Sequence, residues 1–293
     1  MSELPVKAKA PTRVSFAGGG TDIAPYVSDY GSHVLSAALK LYMRATCGTL
    51  ERGTSEIELL LSDITRKAIK ITSDVVATSG LGGSASAFVA GLKAAFPELE
   101  RDRLVSLAIF LERKVLRITG GIQDQYCATY GGLLFLTTEG GETEIERMEA
   151  PEDFAESLLL IYTGHRTQAG KTIIEDQVSR NNLRALHKQK QVALDMRKAL
   201  KGNDLSAFGL LLNEAWESKK AFSPLVSNNS IDDLYQRCLE MGGLGGVLTG
   251  AGGGGYMLFM ENRKQPGQLR QNLILADIPY WNIEFDLGGV RLL

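Results

Sequence analysis

The glycines of this chain come in clusters, and that clustering limits the possible architectures more than any other feature. Gly18-Gly19-Gly20, Gly80 with Gly82-Gly83, Gly120-Gly121, Gly131-Gly132, Gly242-Gly243 with Gly245-Gly246, and Gly250 with Gly252 through Gly255 hold more than half of its 32 glycines. A residue without Cβ permits positive φ and lets backbone approach a ligand or a second backbone closely. Any one cluster is equally well explained as a tight turn between strands. The useful question is which cluster opens a helix toward an anion.

Two segments compete. Residues 163–172, TGHRTQAGKT, follow an apolar run and precede a helical pattern, the layout of a P-loop. The spacing fails, because Gly164 and Gly170 enclose five residues where a P-loop has four between its first glycine and the Gly-Lys pair. Bulky His165, Arg166 and Gln168 fill the interval. The segment 79–92, SGLGGSASAFVAGL, is the better phosphate loop. Gly80, Gly82 and Gly83 allow backbone to approach an anion, and Ser84 opens a helix whose first N–H groups point at it. No lysine is present there, so charge neutralisation rests on the helix dipole and a metal ion. Gly80-x-Gly82-x-x-Ala85 also fits a dinucleotide fingerprint, but 94–103 offers little second strand for a βαβ unit.

Composition narrows the function classes. A net charge of −2 without a long basic tract leaves nucleic-acid binding no electrostatic footprint. Three cysteines and three histidines lack metal-ligand spacing, which argues against both a Cys/His metal site and a disulfide framework. The N-terminal stretch has no signal-peptide core, and no apolar run has bilayer-spanning length. The expectation is a soluble cytoplasmic protein without membrane or nucleic-acid partners.

Strand patterns are expected at 13–17, 33–37, 44–49, 57–61, 68–71, 132–137 and 157–163. Others follow at 246–249, 255–260, 282–286 and 290–292. Helices are expected at 84–96, 102–117, 171–200, 204–220 and 231–241, with Asn203 and Ser230 as N-caps of the last two. Strict βαβ alternation is missing, so the class is α+β, helices against largely antiparallel sheets. A junction near 151–153 divides residues 1–150 from 151–293.

Four side chains carry possible chemistry. Glu112 lies beside the apolar stripe of the helix 102–117, and Asp124 follows Gly120-Gly121. One carboxylate to hold Mg²⁺ and one to accept a hydroxyl proton are what a phosphotransferase needs. Helix-surface pairing of Glu112 with Lys114 or a nearby arginine stays open as the plain alternative. Arg13, on a strand, needs a carboxylate partner if buried, and Asp124 is a candidate. Asp22, after three glycines, either meets sugar hydroxyls or stabilises its own turn.

Together these segments resemble the GHMP kinases, small-molecule kinases typified by galactokinase, homoserine kinase and mevalonate kinase. The resemblance rests on APTRVSFAGGGTD (10–22), GLGGSASAFVA (80–90), GGIQDQYCATYGG (120–132) and LTGAGGGGYMLF (248–259), in family order across the chain. The FAGGGTD form, the segment 213–235 and YTGHRTQAG look most like the sugar-1-kinases of heptose 7-phosphate, with fucokinase-type domains close by. The resemblance implies a two-domain fold, a ribosomal-protein-like N-terminal layer and a ferredoxin-like C-terminal one, with the site in the cleft. It implies ATP on Gly80, Gly82, Gly83, Ser84 and Ala85, and Mg²⁺ on Ser84 and Glu112. Asp124 would be catalytic, with Arg13 as its basic partner. Gly20, Thr21, Asp22, His165 and Arg166 would meet a sugar or sugar phosphate; apart from the resemblance, a homodimer stays open. Three features depart from the family pattern: Val75-Val76-Ala77-Thr78 replaces a Pro-x-Gly lead, Gly83 stands where Ser is frequent, and Ile122 precedes Gln123-Asp124.

Overall fold

A computed structural model describes residues 4–48, 51–166 and 168–293. Among these residues the strands form two antiparallel sheets. The first contains β1 (Val6–Ala17), β2 (Ser32–Cys47), β3 (Ile69–Ser73), β4 (Leu133–Glu139), β5 (Glu142–Met148) and β10 (Arg291–Leu292), ordered β10-β1-β2-β4-β5 with β3 beside β2. The second contains β6 (Leu158–Tyr162), β7 (Gly243–Leu248), β8 (Tyr256–Glu261) and β9 (Tyr280–Asn282), ordered β7-β8-β6-β9. Numbered within that sheet, the order is 2-3-1-4, the split βαβ arrangement of ferredoxin-like folds. The α+β expectation therefore holds. The last strand crosses back, pairing Ala8 with Leu292 and Lys9 with Arg291.

Local chemistry corrects several sequence expectations. Residues 57–61 form no strand but lie in helix α2 (Glu56–Thr65). Ser55 and Glu58 close a capping box, the Ser55 hydroxyl accepting from the Glu58 N–H and the Glu58 carboxylate from the Ser55 N–H. The single helix expected at 171–200 is two, α6 (Gly170–Arg180) and α7 (Leu183–Lys201). Asn181 ends the first in a left-handed conformation, and the Asn182 side chain caps the second by accepting from the Ala185 N–H at 3.2 Å. Asp204, not Asn203, caps α8 (Leu205–Lys220), and Asn228, not Ser230, caps α9 (Asn229–Glu240). The strand expected at 44–49 is β2 as far as Cys47, and Thr49 lies outside the described residues.

Helices clothe both faces of the first sheet. Helix α3 (Gly83–Ala95) packs Phe88 and Val89 in one core with Ala8, Ala10 and Ala45. The second core joins Val14, Phe16 and Leu35 of the first sheet to Leu160 and Phe259 of the second and to Phe208 and Trp216 of α8. The Phe16 and Phe208 rings meet edge-on at 5.3 Å. Between Pro11 and Thr12 the β1–β2 register slips, and beyond it the even-numbered residues of β1 feed the second core instead of the first. Such an irregularity re-aims side chains. It leaves Arg13 turned toward the loop before α3, where its own N–H donates to the Leu81 carbonyl at 2.9 Å. Helix α4 (Arg101–Phe110) continues as a π-helical segment, Leu111–Val115, and α5 (Gln123–Tyr130) follows.

Candidate active site

A cavity of about 610 Å³ opens where the loop before α3, the first glycine turn, the start of α5 and the turn after β7 converge. Its size suits a small-molecule site.

The glycine turn read as a phosphate loop leads directly into α3. Gly82 is the N-cap of α3 at φ 75°, and a Cβ there would come within 3.2 Å of both Arg13 Cγ and Asp124 Oδ2. Only glycine satisfies both the dihedral and the space. The first N–H groups of α3 have no partner within the helix, the arrangement that suits an anion. Gly80, Gly82, Gly83 and Ser84 line the cavity. The Ala85 side chain is buried away from the lining, so that residue offers only its backbone.

Arg13 and Asp124 form a two-pronged ion pair, Nε to Oδ1 at 2.7 Å and Nη2 to Oδ2 at 2.8 Å. Arg13 Nη1 also donates to the Gly80 carbonyl at 2.6 Å, tying strand, loop and α5 together. Beside it the Ser84 hydroxyl donates to Glu112 Oε1 at 2.7 Å, and Gln125 donates to Oε2. Burial pushes the Glu112 carboxyl above its ordinary range, opposed by the Ser84 bond and reinforced by the nearby Asp124 charge. Glu112 sits in the π-helical segment and is buried on Ser84 and Gln125, which leaves the surface-pairing alternative aside.

Asp22 is buried under the other end of the cavity. Its Oδ2 accepts from the backbone of Ile122 at 2.7 Å and of Gln123 at 3.3 Å, and its Oδ1 from Gly20 at 3.2 Å. Burial pushes this carboxyl up, while the Arg113 charge and the two backbone bonds from Gln123 and Ile122 pull it back. Gly121 leaves the room: a Cβ there would fall 2.0 Å from Asp22 Oδ2.

Two expected acceptor contacts lie elsewhere. Thr21 is fully buried, its hydroxyl donating to the Gly18 carbonyl at 2.6 Å, which closes its own turn. The exposed His165 ring packs edge-on against Tyr162 at 5.7 Å, outside the lining. Arg166 does reach the cavity, but against the phosphate loop: its Nη2 lies 2.9 Å from where a Gly80 Cβ would stand. Lys171, the lysine of the rejected P-loop reading, is half-exposed at the lining and pairs with Glu175 at 3.9 Å.

Sequence reasoning missed Lys219. Its Nζ donates to the carbonyls of Leu248 at 2.5 Å and Gly250 at 2.6 Å, inside the cavity. Burial, then the Arg13 and Arg166 charges, lower its pKa to about 7. The sequence signals only that it faces inward, since Lys219 continues the buried stripe Leu205, Phe208, Leu212, Ala215 of α8 at helical spacing; its destination is not local.

Among the described residues no three His, Cys, Asp or Glu side chains are grouped to hold a metal, and no helix is long and apolar enough to cross a membrane. Residues 35–132 match the GHMP kinases N terminal domain and 196–275 the GHMP kinases C terminal. The chain is 31% identical to the D-glycero-alpha-D-manno-heptose 7-phosphate kinase of Campylobacter jejuni, over 92% of each. It is 24% identical to the bifunctional fucokinase/GDP-fucose pyrophosphorylase of Arabidopsis thaliana, over 91% of this chain and 31% of that one. The fold superposes on a D-glycero-D-manno-heptose 1-phosphate kinase of Bacteriodes thetaiotaomicron with a TM-score of 0.77 at 24% identity, covering 98% of both. With both halves of one family matched in chain order on a fold it shares, the chain belongs to the GHMP kinase family.

Proposed function

We propose that the chain transfers the γ-phosphoryl group of ATP to the anomeric hydroxyl of a sugar phosphate, with D-glycero-D-manno-heptose 7-phosphate as the foremost acceptor. The observation that carries the reading is Asp124, gripped by Arg13 between the phosphate loop and the Asp22 crevice. The activity for which the Campylobacter relative is named supports the choice of acceptor.

The residues fit the groups such a reaction uses. Ser84 and Glu112 bring a hydroxyl and a carboxylate together, hard oxygen donors of the kind Mg²⁺ takes from a protein when phosphates supply its other ligands. When bound, the ion would neutralise phosphate charge. The backbone of Gly82, Gly83 and Ser84 would hold the triphosphate at the head of α3. Asp22, fixed by three backbone N–H groups, would orient acceptor hydroxyls. Both Asp124 oxygens keep a free lone pair beside the Arg13 bonds, so the carboxylate can align the attacking hydroxyl and take its proton. Most of the rate enhancement would come from positioning and charge.

A fucose- or galactose-type acceptor is the second reading, supported by the fucokinase relative. A coupled ADP-release assay separates the readings, with heptose 7-phosphate, fucose, galactose, mannose and mevalonate as acceptors. The highest kcat/KM is expected for heptose 7-phosphate. A higher value for fucose or galactose would establish the second reading, and no ADP from any acceptor would point to a non-catalytic sensor on this fold.

A further inference from the structure

The phosphate loop has an electrostatic deficit. From Ser79 to Leu92 it carries no lysine or arginine, whereas P-loops place a lysine on the β/γ-phosphates. The second half of the chain delivers two cations to the same place. The Arg166 guanidinium is wedged between three glycines. A Cβ on Gly80, Gly250 or Gly170 would meet its nitrogens at 2.9, 2.8 and 3.0 Å. Its Nε donates to the Gly254 carbonyl at 3.3 Å, while Nη2 is buried and, among the described residues, has no hydrogen-bond partner. An unpaired buried guanidinium nitrogen is costly and marks a place for a missing acceptor. As an ammonium, the form that a bound anion favours, Lys219 uses two of its three N–H bonds on Leu248 and Gly250, leaving one for a ligand.

Asp124 is the carboxylate whose charge acts on both Arg166 and Lys219, but its ion pair is with Arg13, one bond to each oxygen. The mutual repulsion shows in the same direction at both sites: burial first, then Arg13, lowers Arg166 to about 10, and burial, Arg13 and Arg166 lower Lys219. Glu112 and Glu58 also line the cavity, but Ser84 and Gln125 engage the first and the backbone of Ser55 and Ile71 the second, so among the described residues neither pairs with Arg166 or Lys219.

We propose that Arg166 and Lys219 complete, with Arg13, a three-cation pocket for the phosphoryl group in transfer, replacing from across the cleft the lysine its phosphate loop lacks. The inference rests on the kinase reading above and deepens it. In the transfer, the acceptor oxygen bonds to the γ-phosphorus as the bond to the β–γ bridging oxygen breaks. The electron pair of the broken bond stays on ADP, and the hydroxyl proton goes to Asp124. Charge spread over the equatorial phosphoryl oxygens is what the pocket would meet.

The test compares binding of Mg²⁺-ADP and Mg²⁺-AMP-PNP by calorimetry to the full chain and to Arg166→Met and Lys219→Met. The unaltered protein is expected to bind the γ-phosphate-bearing analogue more tightly. Each variant should lose about tenfold or more of its AMP-PNP affinity, the scale of a charge-assisted hydrogen bond, with ADP affinity kept within about threefold. Equal losses for both nucleotides would overturn the proposal by making the two cations supports of loop shape. Unchanged AMP-PNP affinity with a raised acceptor KM would overturn it in favour of the acceptor's own phosphate. Melting curves guard against misfolding. Arg166→Met, which removes one long hydrogen bond, keeps the test decisive if Lys219→Met loosens the Leu248–Gly250 turn. A protein that released no ADP with any sugar, yet lost its γ-phosphate preference in both variants, would refute the kinase reading and leave the pocket standing.

Discussion

Asp124 carries the strongest claim on a single side chain. Asparagine keeps its shape but cannot take a proton, so Asp124→Asn should lower kcat about 10²–10⁴-fold. Mg²⁺-ADP affinity, read by calorimetry, should change little, because the loop N–H groups are untouched. Gly121 makes a prediction at the acceptor end. A Cβ 2.0 Å from Asp22 Oδ2 must displace that carboxylate, and Gly121→Ala should reduce kcat/KM for the sugar about a hundredfold, with ADP binding intact. Gly83 offers the contrast: its nearest neighbours to a Cβ are Met43 Sδ at 3.8 Å and Val75 at 3.9 Å, ordinary contacts. The departure at Gly83 is therefore one of choice, not of space. Lys219 predicts a pH effect. Its folded pKa of about 7 lies below the 10.5 of an exposed lysine, so between those values the unfolded chain binds the additional proton. Stability of the unliganded protein should therefore rise with pH across that window. Below it both states are protonated and the full cost of the buried charge remains. Thermal melts from about pH 6.5 to about pH 8.5 should show this rise in the native chain and less of it in Lys219→Met.

At the scale of elements, what was legible depended on whether the deciding signal was local. The glycine turn before α3 was legible because Gly80, Gly82, Gly83 and Ser84 fall within five residues and α3 follows at once. Helix α2 was misread because Ile57-Glu58-Leu59-Leu60-Leu61 suggested an apolar strand, although Ser55 and Glu58 stand at capping-box spacing. Ser55→Ala removes that cap and should cost about 1 kcal/mol in chemical denaturation. The Asn181-Asn182 break was equally local, with one asparagine suited to a left-handed C-cap and the next to an N-cap. The unusual turn at Leu111–Val115, which carries Glu112 inward to Ser84, has no such signature.

Across the whole molecule, one core ties the two sheets. Phe16 of the first sheet, Phe154 and Phe208 form a ring cluster with centroids 5.0 to 5.8 Å apart. Buried Gln189 of α7 accepts from the Gly18 N–H and donates to the Ala215 carbonyl, linking the first glycine turn to α8. Phe208→Ala should cost about 3–5 kcal/mol. Unfolding should stay a single transition by circular dichroism and tryptophan fluorescence, since Trp216 lies in the same core. Two separated transitions would show the halves to be independent. The order of motifs along the chain, their glycine spacing and the identities of Arg13, Ser84, Glu112 and Asp124 were sufficient by themselves to state the family and a chemistry, because backbone approach and charge are properties of short segments. Only the tertiary structure decided that Arg166 faces the phosphate loop, that Thr21 and His165 stand apart, and that Lys219 enters the cavity. Those outcomes depend on how residues far apart in sequence pack, and no local pattern encodes the distance between Arg13 and a helix two hundred residues away.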